Sequence, residues 1–349
     1  MYRYFYVGTY MGEFGGKGIA ACVLNTDTGR MKVLGMETNC QNPNFLVMDS
    51  KSQVLCAVNE DGEKAWLSSY RIREDHTLDF LDQISIPGKA PCHLSMDAAH
   101  KQVFYADYES GEVGMVRLRN GGFFGRILSI VQRKGHSVDV RQREAHPHQV
   151  FVQQERNRIL VPDLGTDEIA VYRNEGEKLV QQSSIRVRPG DGPRHLVFHP
   201  HKSYLYLLCE IENVIYVLEE TADGKWKELE RISLLGEDTK GRYLGGEIAV
   251  TGNGKYLLAC TRGWGLRKEE EGKLLIFSIL DSGRLEHKKT ATSKGCHPRM
   301  FTLADKERFV LMANQYSGNL VSFRMNPQTG ALAVCDEILL PGAACVISE

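Results

Sequence analysis

The chain has no apolar run approaching the roughly 18 to 20 residues that span a bilayer. Its N-terminus, Met1-Tyr-Arg-Tyr-Phe-Tyr-Val-Gly8, has neither the apolar core nor the cleavage site of a signal peptide, so a cytoplasmic protein is expected. It has no CxxC pair, which removes the usual basis for a structural zinc site. Neither charge sign dominates: 43 basic against 44 acidic residues leave a formal charge of −1, too little to steer the chain toward nucleic acid or an anionic membrane. Cysteines number nine, an odd count, and Cys22, Cys56, Cys209, Cys260 and Cys335 stand inside apolar stretches, where a reduced thiol packs as a small hydrophobe.

What is present is a globular composition, 42% hydrophobic and 25% charged over 349 residues, with 34 glycines that imply many turns. A repeat runs through it. A β-run opening near a proline is followed by a second run rich in Tyr, Leu and Val that ends on a polar residue. Asn42-Pro-Asn-Phe-Leu-Val-Met-Asp49 with Val54-Leu-Cys-Ala-Val-Asn-Glu60, and Gly192-Pro-Arg-His-Leu-Val-Phe-His199 with Tyr204-Leu-Tyr-Leu-Leu-Cys-Glu210, are the clearest copies. Others start at Pro91, His146, Glu247 and Pro298, and each pair is followed by two further runs with strand alternation. Four strands per unit is a propeller blade, and a spacing of 46 to 56 residues between units fits a blade with variable loops. The N-terminus starts at a second strand, Tyr4-Phe-Tyr-Val-Gly-Thr9, while the C-terminus ends on an orphan first strand, Ala343-Ala-Cys-Val-Ile-Ser348. Joining them completes a seventh blade and removes two exposed strand edges. The expected fold is thus an all-β seven-bladed β-propeller of four antiparallel strands per blade, residues 1–349 forming one domain, its ring closed by the C-terminal strand in the N-terminal blade. An array of immunoglobulin-like sandwiches would need units near 100 residues with hinges between them; no such period is visible.

In a blade the first strand lies innermost and the second runs antiparallel to it, so first-strand starts and second-strand ends open on one rim. Starts contribute Asn42, His93, His146, His148, Arg194, His195, Glu247, His297 and Arg299; ends contribute Thr9, Glu60, Asp107, Asp163, Glu210, Arg262, Asn314 and Gln315. Any one of these acids is as readily a structural bond between blades. Arginines, carboxylates and histidines gathered on one rim are better explained as a site for a polar, anionic metabolite. His146 and His148, two apart on an expected strand, should point to one side, one acting as general base and the other orienting it or the substrate. Arg194 and Arg262 suit carboxylate or phosphate capture or oxyanion stabilisation. Glu210 and Glu247 could be a second acid/base or could hold those arginines. Trp264, in the insertion Gly263-Trp-Gly-Leu-Arg-Lys-Glu-Glu-Glu271, could cap a sugar ring, and the acidic run beside it reads as a solvated turn. There is no G-x-S-x-G, H-E-x-x-H or EF-hand loop, which leaves water as the simplest nucleophile.

Several stretches in order, Tyr6-Val-Gly-Thr-Tyr10, Arg141-Gln142 with His146-Pro-His148-Gln-Val150, Val161-Pro-Asp-Leu-Gly-Thr-Asp167, Gly192-Pro-Arg-His195 and Ala313-Asn314-Gln315 with Thr329-Gly330, make the whole chain resemble the seven-bladed propeller lactonases typified by bacterial cycloisomerase-type 6-phosphogluconolactonase. The resemblance implies hydrolysis of 6-phospho-D-glucono-1,5-lactone to 6-phosphogluconate in the oxidative pentose phosphate pathway. It extends to fungal carboxy-muconate lactonising enzymes, whose catalytic set would fall here on His148, Arg194, Glu210 and Arg262. The rim residues His146, His195, Glu247, Trp264, Arg299 and Asn314 are the expected substrate contacts. Two departures bear on substrate identity: Thr261-Arg262-Gly263 stands where the family usually reads Asn-Arg-Gly, and Cys209-Glu210 where it reads Asn-Glu.

A small-molecule lactone is the expected partner, with no cofactor, no metal, no nucleic acid and no membrane, and the protein should be a monomer or weak homodimer. The competing readings are a cyclising lyase or isomerase of the muconate type, a non-catalytic propeller scaffold, and a calcium-dependent lactonase using oxygens of Glu60, Asp163 and Asn314.

Overall fold

A computed structural model of the chain describes residues 1–236, 243–264 and 269–349. Their strands fall into seven four-stranded sheets, each with its strands in consecutive order. One sheet is built from both chain ends: Ala343–Ser348 lies beside Tyr2–Thr9, followed by Ile19–Asn25 and Met31–Glu37. The fold is the all-β seven-bladed propeller that the repeat predicted, with the C-terminal strand paired into the N-terminal blade. With that blade as blade 1, blade 2 spans residues 46–86, blade 3 91–132, blade 4 151–186, blade 5 193–233, blade 6 243–296 and blade 7 298–339. Among the described residues no helix is long and apolar enough to cross a membrane.

Burial explains why the second strands carry the strongest sequence signal. Phe309–Asn314 is buried at every position, so selection for both of its faces leaves a continuous apolar run, whereas the outer strand Leu332–Leu339 exposes Ala333, Val334, Glu337 and Leu339. In blades 2 to 7 the third strand meets the fourth across a register shift at one recurrent place, such as Ser69/Tyr70, Val171/Tyr172 and Ser322/Phe323. A bulge there adds local twist to each outer strand.

Contacts group the chain into two compact units. One comprises Met1–Phe5, Val23–Lys32 and Arg194–Ser348, the other Tyr6–Cys22 and Val33–Pro193 with Glu349. In the first, Tyr206, Leu208, Ile215 and Val217 of blade 5 pack on Ile248, Leu257, Leu275 and Phe277 of blade 6. In the second, Phe104, Val113 and Met115 of blade 3 pack on Val150, Ile159, Val161 and Tyr172. Each such side chain taken fully from water contributes roughly 1.5–3 kcal/mol, so the faces between adjacent blades are where the ring is held. All nine cysteines are free thiols; Cys22, Cys56, Cys209 and Cys260 are core residues as expected, while Cys335 is only half-buried.

Two first strands differ from the sequence expectation. In blade 4 the strand is only Phe151–Gln153, and His146 and His148 lie before it rather than on it. Pro147 bridges Asp163, with His148 N donating to the Pro162 carbonyl and Leu164 N to the His146 carbonyl, each at 2.9 Å. The ladder then stops because Pro162 has no N–H to return to the His148 carbonyl. In blade 6 the strand Tyr243–Val250 starts earlier than expected, so Glu247 is not at its start but in a register shift between Gly245 and Ile248. A Cβ on Gly246 would stand 2.6 Å from the Cys260 sulfur and 2.8 Å from the Pro298 carbonyl oxygen, which only glycine avoids.

Candidate active site

Shifts of the same kind recur where first strands begin: Pro91/His93 in blade 3 and Pro298/Met300 in blade 7, besides Gly245/Ile248. Bulges at these points re-aim the side chains they carry, here Cys92, Arg299 and Glu247.

In blades 5 and 6 this geometry gathers five of the candidates into one buried cluster. Arg194 enters from the first strand of blade 5 and Glu210 follows directly after its second strand, Tyr204–Cys209. Glu210 Oε2 accepts from Arg194 Nε at 2.8 Å and from Arg262 Nη2 at 2.9 Å. Arg194 Nη1 also donates to the Gly246 carbonyl and, at 3.1 Å, to His195 Nε2. A guanidinium only donates, so His195 Nε2 carries a lone pair and its proton sits on Nδ1, which donates to Glu247 Oε1 at 2.9 Å. Glu247 is held in turn by the backbone N–H of Ile248 on that same oxygen, at 2.9 Å.

Electrostatics follow from this packing. Burial, then the neighbouring Arg194, hold His195 well below the usual imidazole range, so it is neutral and its lone pair is already engaged. Burial also pushes Arg262 down to about 10, with Arg194 and Arg299 adding to the effect against the pull of Glu210. Arg262 stays charged at neutral pH, and its Nε and Nη1 are buried without a hydrogen-bond partner among the described residues. Three arginines against Glu210 and Glu247 leave an excess of positive charge in a dry site, which favours an anion there.

His146 and His148 belong to the other compact unit and meet there at Tyr108. His146 stacks on Tyr108 at 4.4 Å between centroids and 13° between planes, and its Nδ1 donates to the Tyr108 carbonyl at 2.7 Å, which leaves Nε2 as the acceptor. His148 meets the same Tyr108 edge-on at 5.5 Å, and the Cys92 thiol lies 4.0 Å from its Nδ1. The two rings thus share one aromatic partner without sharing a strand. His146 lines a cleft of about 580 Å³ together with Lys89, Tyr108, Glu109, Ser110 and Glu144.

The remaining candidates have simpler settings. Arg299 is half-buried in the bulge of blade 7. Asn314 is fully buried and its amide N–H donates to the Ser293 carbonyl of blade 6 at 3.0 Å, a tie between neighbouring blades. Trp264 stands just past the strand Tyr256–Gly263 with 45% of its surface exposed; residues 265–268 of its insertion lie outside the described residues. Asp163, considered above as a metal ligand, accepts instead from Arg133 Nε and from the backbone of His146 and Gly165. Sequence reasoning missed Tyr108 and Arg133, which lie just past strand ends, and Cys92, which stands at a first-strand start but is uncharged.

The family model described as a seven-bladed β-propeller lactonase matches residues 4–348. The chain belongs to this family. Among similar lactonase-family proteins, the 6-phosphogluconolactonase of Bacillus subtilis is 28% identical over 345 residues, covering 98% of this chain and 97% of its own. A solved structure from Lactobacillus plantarum superposes with a TM-score of 0.92 at 25% identity over 100% of both chains. The periplasmic gluconolactonase of Pseudomonas aeruginosa has the same fold, with a TM-score of 0.91 at 24% identity over 100% of this chain and 99% of that one. Lactonase-family membership and the four-stranded blades therefore agree.

Proposed function

We propose that this protein hydrolyses a sugar lactone bearing an anionic group, and that 6-phospho-D-glucono-1,5-lactone is the substrate to test first. The observation that carries this reading is Arg262, buried and charged beside Arg194 and Glu210, with its Nε and Nη1 meeting no acceptor among the described residues. In a lactonase those donors suit either the substrate's anionic group or the oxyanion formed when water adds to the ring carbonyl. The reaction needs a base to take a proton from the water; the carbonyl carbon then gains the hydroxyl, the ring C–O bond breaks, and the ring oxygen leaves as a hydroxyl, giving the open hydroxy acid. Inside the arginine cluster no group suits the role of base: Glu210 is bound by two guanidinium groups, Glu247 by His195 and the backbone, and the His195 lone pair by Arg194. We assign that role to His148, in line with the family resemblance.

Freshly prepared phosphogluconolactone and plain gluconolactone should be followed against their spontaneous hydrolysis, with and without chelator. The expected result is turnover above background, faster for the phosphorylated lactone and indifferent to chelator. Rates at background for both lactones would overturn the proposal in favour of a lyase or a scaffold, and loss of turnover with chelator would move it to metal-assisted hydrolysis.

A further inference from the structure

Where blades 6 and 7 meet, several side chains carry buried polar atoms with no partner among the described residues, among them Arg262 Nε and Nη1, His297 Nδ1 and Gln315 Oε1. The backbone brings them together. Gln315 N donates to the His297 carbonyl at 3.0 Å, and the next carbonyl, that of Pro298, accepts from the thiol of Cys260, two residues before Arg262, at 3.5 Å. Buried polar atoms are satisfied in about nine cases of ten, so a group of them at one strand end calls for a common explanation.

His297 adds a second, independent sign. Its φ of 58° lies in the left-handed region, which a non-glycine residue occupies at a cost and which clusters at ligand sites. That backbone lays its ring flat on Tyr316, 3.9 Å between centroids and 8° between planes. Burial first, then Arg262 and Arg299, keep the ring neutral, so it offers one N–H donor and one lone pair rather than a charge. Gln315 Oε1 only accepts, and Arg262 only donates. A ligand that meets all three must carry an acceptor oxygen with negative charge beside hydroxyl groups that both donate and accept.

We propose that Arg262, His297 and Gln315 form a subsite for a polyhydroxylated carboxylate, the ring-opened acid that lactone hydrolysis produces. The carboxylate takes Arg262 Nη1, and the adjoining hydroxyls bond Arg262 Nε, His297 Nδ1 and Gln315 Oε1. The identity of this ligand as product rests on the hydrolase reading; the preference for hydroxyls does not. It makes the enzyme selective for hydroxylated over plain aliphatic acids and lactones, and subject to inhibition by its own product.

Isothermal titration of the full chain with gluconate and with hexanoate tests this at equilibrium, without turnover. Gluconate should bind at least about tenfold tighter, because a site built to bond hydroxyls is left with buried unpaired groups by the analogue that lacks them. Gln315→Leu and His297→Asn, the latter chosen because asparagine tolerates a positive φ, should each cut that preference to below about threefold while the melting temperature stays near the parent's. Equal binding of the two acids by the parent, or no binding of either, overturns the subsite, as does an undiminished preference in a folded variant. If one variant fails to fold, the other and the parent comparison still decide. Lactone turnover without a hydroxyl preference would overturn only the subsite; a hydroxyl preference without turnover on any lactone would overturn only the hydrolase reading.

Discussion

Arg133 and Arg262 are both arginines with 5% of the side chain exposed and a carboxylate partner, yet they are bonded in opposite ways. Arg133 uses its whole guanidinium: Nε on Asp163, Nη1 on the Tyr172 hydroxyl at 3.2 Å, and Nη2 on Thr166 at 3.3 Å and Glu168 at 3.5 Å. Burial is the largest single influence and would lower its pKa, but Asp163 and Tyr172 together outweigh it and raise it. Arg262 spends one nitrogen on Glu210, which Arg194 already shares, and burial wins. A buried arginine with every nitrogen bonded is a structural element; one with two nitrogens to spare, in a site of excess positive charge, is set up to bind.

Substitution should separate the two. Arg133→Met leaves Asp163 buried without its cationic partner and should cost about 3–5 kcal/mol in urea unfolding; a loss below about 1 kcal/mol would remove the structural role. Arg262→Ala should instead lower kcat/KM by about ten- to a thousandfold, as when a charge-assisted contact worth roughly 1.5 to 4 kcal/mol is lost. Its stability should change little, since Arg194 still holds Glu210. Full activity of Arg262→Ala on every lactone tested would end the anion-binding reading.

The histidines carry the comparison further. His148→Gln keeps shape and hydrogen bonding but cannot take a proton, so kcat should fall by about a hundredfold while KM stays near the parent's. A rate within threefold of the parent would move the base to His146, whose Nε2 is left as an acceptor by its bond to Tyr108. His297 should also show in the pH dependence of stability. Its pKa is lowered on folding, so the unfolded chain binds a proton that the folded one refuses as pH falls below the unfolded value near 6.5. The stability His297 contributes is therefore complete above about pH 6.5 and lost below it. Between about pH 6 and 5, His297→Asn should make the fall of unfolding free energy shallower by up to about 1.4 kcal/mol per pH unit. Parallel profiles for parent and variant would contradict a neutral His297 in the folded protein.

Legibility in the sequence followed periodicity. Val54–Glu60, Tyr204–Cys209 and Phe309–Asn314 could be read directly because both faces of these strands are buried, and the orphan strand Ala343–Ser348 followed from counting blades. Arg194, Glu210 and Arg262 were legible because strand starts and strand ends share a rim in antiparallel pairs. The strand placement of His146 and His148 was wrong, and the cause was visible only across the ladder: Pro162, on the facing strand, withholds the N–H that would have continued it. Glu247 was set at a strand start, whereas the Gly245/Ile248 shift places it inside one.

By itself, then, the chain's pattern of apolar runs determined the blade, its number and the strand that completes the ring, because each of these depends on local alternation repeated from blade to blade. Which nitrogen of Arg262 is bonded, which tautomer His195 adopts, that His297 turns left-handed onto Tyr316 and that Arg133 is bonded at every nitrogen were decided only by tertiary structure. Those outcomes depend on burial and on partners from distant positions, such as Glu210 for Arg262 and Asp163 for Arg133, and no local period encodes a partner.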